Sequence, residues 1–352
     1  MGIEEQIRLL EEEIKNTPYN KATEHHIGRL KARLSRLREE AEKQVKKTGK
    51  LAFAIKKEGD ATVTIVGFPS VGKSALLNAL TGAKSEVGVY DFTTLKPIPG
   101  MLEYNGARIQ IVDLPGIVEG ASKGRGKGRE IISAVRNSDL VIILSDPFNL
   151  ESIDIIKKEL HNGGIRLDQE PPKVYVKRKD RGGIKITSTV PLTLAEETIV
   201  EVLKEYKIHN AEVVIREDIT IERLIDGILR NRVYIPSIVA INKVDLYRPE
   251  VNALLVSAEK GINLDLLARK IYEKLGFIRV YLKPPGGRVK FEEPMVMRRG
   301  STVGDVCKRL HRKMYENFRY AKISGSSVKF DGQRVGLGHT LQDGDILTIY
   351  SF

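Results

Sequence analysis

Apolar positions fall into two kinds of pattern along this chain. Ile3, Ile7, Leu10 and Ile14 recur at helical steps, and Leu30, Leu34, Leu37, Ala41 and Val45 do the same. Each set lies on one face of a helix. Thr17-Pro18-Tyr19-Asn20 breaks the first stripe, so residues 1–58 are expected to form a helical hairpin. From Ala61 onward the pattern changes to short continuous apolar runs near 61–66, 109–112, 140–144, 238–241 and 253–256. These predict buried strands. Helical patterns near 74–81, 126–137, 151–160 and 263–275 alternate with them. Strand–helix alternation implies a mostly parallel sheet with helices on both faces, an α/β core spanning 59–277.

The core carries an insertion at about 163–232. It opens with Asn162-Gly163-Gly164 and Pro171-Pro172. Strands at 173–177, 184–189 and 211–216, with helices at 193–206 and 220–229, then give a ββαβα order. That is too regular for a structureless loop, and a packing module is expected. Residues 278–352 predict a hairpin around Pro284-Pro285-Gly286-Gly287 and a helix capped at Ser301-Thr302 that runs to about Met314. Strands at 320–323 and 346–350 complete a small mixed sheet. His339 is expected to be a turn residue.

The chemistry begins where the first core strand ends. Gly67-Phe68-Pro69-Ser70-Val71-Gly72-Lys73-Ser74 has the spacing of a phosphate-binding loop, between a strand and a helix as that loop requires. Backbone N–H groups would wrap the phosphates, Lys73 would reach the β/γ-phosphates and Ser74 would bind Mg²⁺. Asp113-Leu114-Pro115-Gly116 follows another strand. There Asp113 suits Mg²⁺ and the Gly116 N–H a γ-phosphate, with Ile117 next in line. In Asp91-Phe92-Thr93-Thr94-Leu95, a threonine hydroxyl could complete the Mg²⁺ shell, and Thr94 is preferred over Thr93. Asn242-Lys243-Val244-Asp245 closes a further strand. The Asp245 carboxylate can accept two hydrogen bonds from guanine, a pair adenine does not offer. Asn242 would brace the loop, and the Lys243 stem would pack along the ring. Ser257 and Ala258 would present backbone N–H groups to the guanine O6.

Composition adds limits. The chain has 352 residues, enough for two or three domains. It has no apolar stretch of membrane-spanning length, and its acidic start is unlike a signal peptide. The single cysteine, Cys307, fits a reducing cytoplasm and is expected to be a small buried residue. The net charge of +12 divides as +4 over 1–58, +1 over 59–277 and +7 over 278–352. Basic ends on a near-neutral nucleotide core suggest contact with RNA or the ribosome. Candidate contacts are the cation-rich second helix and, near the C-terminus, Arg298, Arg299, Lys308, Arg309, Arg312 and Lys313. Neither DNA nor a membrane is expected as a partner.

These motifs, in this order, are the pattern of a GTP-binding domain. Phe92-Thr93-Thr94-Leu95 with Asp113-Leu114-Pro115-Gly116-Ile117 resembles the Obg-type GTPases. The stretch from Ile117 through Gly120-Ala121-Ser122-Lys123-Gly124-Arg125-Gly126-Lys127-Gly128-Arg129-Glu130 is similar to the developmentally regulated GTP-binding (DRG) branch. The resemblance covers essentially the whole chain. It implies a P-loop GTPase core, a small inserted domain and a C-terminal TGS domain of β-grasp fold. It implies GTP hydrolysis to GDP with Mg²⁺, and a switch that contacts the ribosome, RNA or a regulatory protein in translation. The alternative is an RNA- or ribosome-binding module whose nucleotide site is structural. Ile117 stands where Ras-like enzymes have a water-orienting Gln, so slow intrinsic turnover is expected. The DRG resemblance favours K⁺ stimulation, although Ser70 stands where relatives that use K⁺ often have Asn. The cations Lys123, Arg125, Lys127 and Arg129 are further candidates for contacting phosphate.

Overall fold

The computed structural model describes residues 2–46, 57–82, 98–117, 120–121 and 128–352. Along the chain come α1 (Ile3–Asn16), α2 (Lys21–Lys46), β1 (Ala61–Gly67), α3 (Lys73–Thr81), β2 (Ile98–Tyr104), β3 (Ala107–Asp113), α4 (Gly128–Val135), β4 (Leu140–Ser145) and α5 (Ser152–Asn162). The middle holds β5 (Ile165–Leu167), β6 (Val174–Arg178), β7 (Ile184–Ser188), α6 (Glu196–Glu205), β8 (Ala211–Ile215), α7 (Ile221–Leu229) and β9 (Val233–Ile235). Then follow β10 (Ser237–Ile241), β11 (Leu254–Leu255), α8 (Leu264–Lys274), β12 (Phe277–Leu282), β13 (Met295–Arg298), α9 (Val303–Leu310), α10 (Arg312–Glu316), β14 (Phe318–Ser324), β15 (Gln333–Val335) and β16 (Asp345–Ser351). Among the described residues no helix is long and apolar enough to cross a membrane.

The nucleotide core is a six-stranded sheet in the order β11-β10-β4-β1-β3-β2. All of its pairs are parallel except β2 with β3. β1 and β4 are buried along their whole length, as their unbroken apolar runs require. The parallel register brings Ile65 beside Asp113, Gly67 beside Leu144, and Ile241 beside Ser145 and Leu255. The loops that carry the motifs therefore leave one common edge of the sheet. The hydrophobic pattern does not anticipate β2, because Pro99 and Gly100 interrupt it. An edge strand tolerates both, since its outer backbone groups need no partner strand.

The C-terminal sheet runs β13-β12-β16-β14-β15, with β12 parallel to β16. α9 packs Val303, Val306 and Cys307 against Ala321, Ile323 and Leu347. Cys307 is fully buried there, and burial pushes its thiol pKa up. Thr302 and Asp305 form a reciprocal capping box at the start of α9. The helix expected to reach Met314 stops at Leu310. His311 is extended, and its Nδ1 accepts the Lys313 N–H at 3.1 Å to start α10. This sheet belongs to the same unit as the nucleotide core. Arg298 donates to Asp139 at 2.8 Å, and Arg309 pairs with Asp60.

The second unit joins α1 and α2 to Gln169–Tyr234. The sequence pattern presents the hairpin and the insert as separate pieces, because nothing local links segments so far apart. Ile7, Leu10, Leu30 and Leu37 close the hairpin, while Ala32 on the far side of α2 joins the insert core of Ile199, Val202 and Leu203. The insert sheet runs β6-β8-β7. Gly28 marks where α2 crosses α6: a Cβ there would sit 2.9 Å from the Thr198 methyl. Tyr206 lies in the same contact and donates to the Ala32 carbonyl at 3.3 Å. Burial pushes its phenol pKa up to about 12. The α2 cations Lys31, Arg36 and Arg38 are engaged by Glu222, Glu205 and Glu11. These three cations are held in internal ion pairs. Lys47 and Lys50 lie outside the described residues.

Glu24 on α2 supplies the cap that α6 lacks. The α6 N-cap residue, Ala195, has no capping side chain, and the buried Glu24 Oε1 accepts from the Ala195 N–H at 3.1 Å and the Thr198 hydroxyl at 3.2 Å. Glu24→Ala should cost about 1–3 kcal/mol by leaving these donors unpaired. Glu24→Gln, which keeps an acceptor oxygen, should cost less than half as much. Denaturant unfolding of the full chain reads both.

Candidate functional site

β1 ends at Gly67 and α3 begins at Lys73, so the phosphate-loop sequence forms the turn between them. Gly72 sits at φ +88°, and a Cβ there would lie 2.4 Å from Asn242 Nδ2. Only glycine satisfies both the left-handed backbone and that approach. No side chain caps α3. Its N-terminus therefore meets the loop as bare amides with a favourable dipole for an anion. The Lys73 ammonium lies inside the loop and donates to the Phe68 carbonyl at 3.1 Å. Burial lowers the Lys73 pKa, and the nearby Asp113 charge partly opposes this.

Asp113 closes the other side of the site. The Ser74 hydroxyl donates to Asp113 Oδ2, while Asp113 Oδ1 is buried with no hydrogen-bond partner. Burial raises the Asp113 pKa, and the Ser74 hydrogen bond and the Lys73 charge lower it. Gly116 approaches Pro69 so closely that a Cβ would fall 2.8 Å from the proline nitrogen. The Ile117 N–H donates to the Gly67 carbonyl at 3.0 Å. The side chains of Leu114 and Ile117 are buried in the core, so these two positions offer only backbone to a ligand. Thr94, with Asp91, Phe92 and Thr93, lies outside the described residues, as do Lys123, Arg125 and Lys127. Arg129 lies in the first turn of α4, but its side chain is outside the described residues.

The base motif hangs on Asn242, which is 2% exposed. Its Nδ2 donates to the Val71 carbonyl at 3.0 Å, its Oδ1 accepts the Ala258 N–H at 3.0 Å, and its own N–H donates to the Ser145 carbonyl at 2.8 Å. Lys243, at φ +61°, extends over the phosphate loop and donates to the Ser70 carbonyl at 2.6 Å. Asp245 stands exposed at the rim, with its pKa held down chiefly by a hydrogen bond from the Ser257 side chain.

The N–H groups of Ser257 and Ala258 are expected at the guanine O6, but both already have internal acceptors. Ser257 donates to the Ile262 carbonyl at 3.1 Å, and Ala258 to Asn242. The turn after β11 closes on itself, so the Ser257 hydroxyl is the group that faces Asp245.

Two contributors have no counterpart among the residues the motifs single out. Asp146 lies 3.8 Å from the Lys243 ammonium and accepts the Phe148 N–H at 3.1 Å. Its place just after β4, on the shared strand edge, is the available signal. Buried Glu159 on α5 accepts the Gly120 N–H at 3.0 Å and anchors the segment that follows Gly116. No local pattern announces it. The assembled groups can hold a polyphosphate on backbone amides and a cation, place hard oxygen donors beside it, and offer a carboxylate to a purine edge.

The chain matches known proteins over nearly its whole length. Residues 62–179 match the family described as 50S ribosome-binding GTPase, 181–277 the C-terminal region of that domain, and 278–351 the TGS domain. The chain is 58% identical to an uncharacterized GTP-binding protein of Methanocaldococcus jannaschii, over 99% of this chain and 93% of that one. It is 43% identical to GTP-binding protein 1 of Schizosaccharomyces pombe and to developmentally-regulated GTP-binding protein 2 of Homo sapiens, over 99% of both chains in each case. The chain belongs to the developmentally regulated GTP-binding protein family, P-loop GTPases with a C-terminal TGS domain.

Proposed function

We infer that this GTPase is a slow, Mg²⁺-dependent switch whose GTP- and GDP-bound forms differ in affinity for the ribosome or its RNA. The observation that carries the reading is the Asn242 junction, which fixes a guanine-reading carboxylate to a phosphate loop. Asp245 accepts the two donor groups of guanine, and Lys243 covers the ring. The phosphate-loop amides and Lys73 hold the β- and γ-phosphates, and the Gly116 N–H faces the γ-phosphate. The orphaned Asp113 Oδ1 beside the Ser74 hydroxyl fits a hard divalent cation. Asp113 and Ser74 would hold Mg²⁺, with Thr94 as the proposed third oxygen donor. The bound ion would neutralise charge on the phosphate oxygens.

Hydrolysis is in-line attack of water on the γ-phosphorus, and the protein contributes position and charge. Ile117 is fully buried and cannot orient that water. Turnover of the isolated chain should therefore be on the order of 10⁻³ s⁻¹ or slower, unless a partner or K⁺ supplies the missing group. Single-turnover assays in KCl and in NaCl at equal ionic strength test this; fast hydrolysis in both would overturn it.

Base reading is tested by Asp245→Asn. Guanine nucleotide affinity should fall on the order of a hundredfold, with preference moving to xanthosine nucleotides. Equal affinity for adenine and guanine nucleotides in the natural chain would refute the assignment.

The cation site carries a pH signature. Because burial raises the Asp113 pKa, its share of folding stability is present below the ordinary carboxylate value of about 3.9 and is lost as pH rises through the raised value. A cation on Oδ1 opposes that loss. Thermal stabilisation by Mg²⁺ with GDP should therefore grow as pH rises above the ordinary carboxylate range, more steeply in the natural chain than in Asp113→Asn. The nucleotide's own titration is common to both, so matching slopes would contradict the role.

The switch itself predicts that co-sedimentation with ribosomes changes at least about fivefold between GDP and a non-hydrolysable GTP analogue. Equal affinity in the two states would favour a structural nucleotide site.

A further inference from the structure

The basic ends hold several of the cations expected to contact RNA in internal pairs. In the TGS domain, Arg298 and Arg309 bind Asp139 and Asp60, and Arg312 pairs with Glu316. The face of the C-terminal sheet opposite α9 is different. Along β14, Ala321 and Ile323 are buried in the core with α9, while Lys322 between them is exposed. Tyr320 pairs with Tyr350 across β14 and β16, and Lys322 pairs with Arg334 across β14 and β15.

These residues form a ladder. The Tyr320 and Tyr350 rings stack with centroids 4.5 Å apart and planes 18° from parallel. The Arg334 guanidinium lies 3.8 Å over Tyr320, and the Lys322 ammonium is 5.8 Å from the Tyr350 centroid. Arg319 lies 5.4 Å over Phe352, which is 86% exposed. Among the described residues, none of these three cations has an acidic partner, and Tyr320 is the only ring stacked on Tyr350.

Cations laid on aromatic faces stay charged and are held in fixed positions without being neutralised. An acidic peptide would satisfy their charge but leave the ladder unused. A single-stranded polynucleotide satisfies both, with phosphates on the cations and a base extending the stack at Tyr350. We propose that this sheet face binds single-stranded RNA. The inference rests on the ribosome-directed function above and assigns its RNA contact to Tyr320, Tyr350, Lys322 and Arg334, with Arg319 and Phe352 at the margin.

The test uses the full chain with GDP and Mg²⁺ and a fluorescent RNA of about 12 nucleotides, read by anisotropy across about 50–200 mM salt. Lys322→Glu with Arg334→Glu should weaken binding at least about tenfold. It should also flatten the dependence of log affinity on log salt by about 0.7 for each phosphate that the variant no longer neutralises. Tyr350→Leu keeps the apolar bulk and should weaken binding by about 5- to 50-fold at an unchanged salt slope. Arg312→Glu, away from this face, should leave affinity within about twofold. Unchanged GDP affinity and an unchanged thermal unfolding transition of the full chain show that each variant is folded.

RNA binding by the natural chain that the face variants do not alter would overturn the proposal. So would equally tight binding of a blunt RNA duplex of the same length. If ribosome co-sedimentation persists undiminished in the face variants, only this placement fails. If the natural chain shows neither RNA binding nor nucleotide-dependent sedimentation, the broader reading fails with it.

Discussion

The site depends on one buried amide. Asn242 joins the phosphate loop at Val71, the end of β4 at Ser145 and the turn after β11 at Ala258, and each polar group of its side chain is paired. In a buried setting, losing such a side chain leaves its former partners unsatisfied, at about 1–3 kcal/mol for each group. The phosphate and base subsites therefore cannot drift independently. A ligand that presents a polyphosphate and a guanine at the matching separation would meet two subsites already fixed relative to one another.

The second constraint is a charge pair held in partial burial before any nucleotide arrives. Burial works against the charged form of both Lys73 and Asp113, and each opposite charge opposes the shift of the other. Lys73 meanwhile folds back onto the Phe68 carbonyl. A phosphate anion would supply what the ammonium lacks, and a divalent cation what the unpaired carboxylate oxygen lacks. Binding energy concentrates where the unliganded protein is least satisfied. The side chain of Ile117, just beyond Gly116, is buried in the core and offers this site only its backbone.

Net charge is a poor guide to where a basic protein meets its partner. On α2, and at the end of β13 and on α9, cations close contacts inside the two units through Glu222, Glu205, Asp139 and Asp60. The sheet face carrying Arg334 and Lys322 has aromatic rings beneath its cations instead of acids. The distinction lies between neutralised and unneutralised charge, and only cross-strand register reveals it.

Sequence alone determined the core strands and most helices, the inserted ββαβα order and the phosphate-loop and guanine motifs. Each of these is local: an unbroken apolar run, a capping pair, or glycines at fixed spacing. Tertiary structure decided what depends on residues distant in the chain. It added β2 as an antiparallel edge despite Pro99 and Gly100, and it joined the N-terminal hairpin to the insert through Ala32, Gly28 and Glu24. It turned the Ser257 and Ala258 amides inward and brought Asp146 and Glu159 to the site. It also stacked Tyr320 on Tyr350, thirty residues apart in sequence. The physical reason is common to these cases. Hydrophobic periodicity encodes which face of an element is buried, but not which distant element covers it or which hydrogen-bond donor finds which acceptor there.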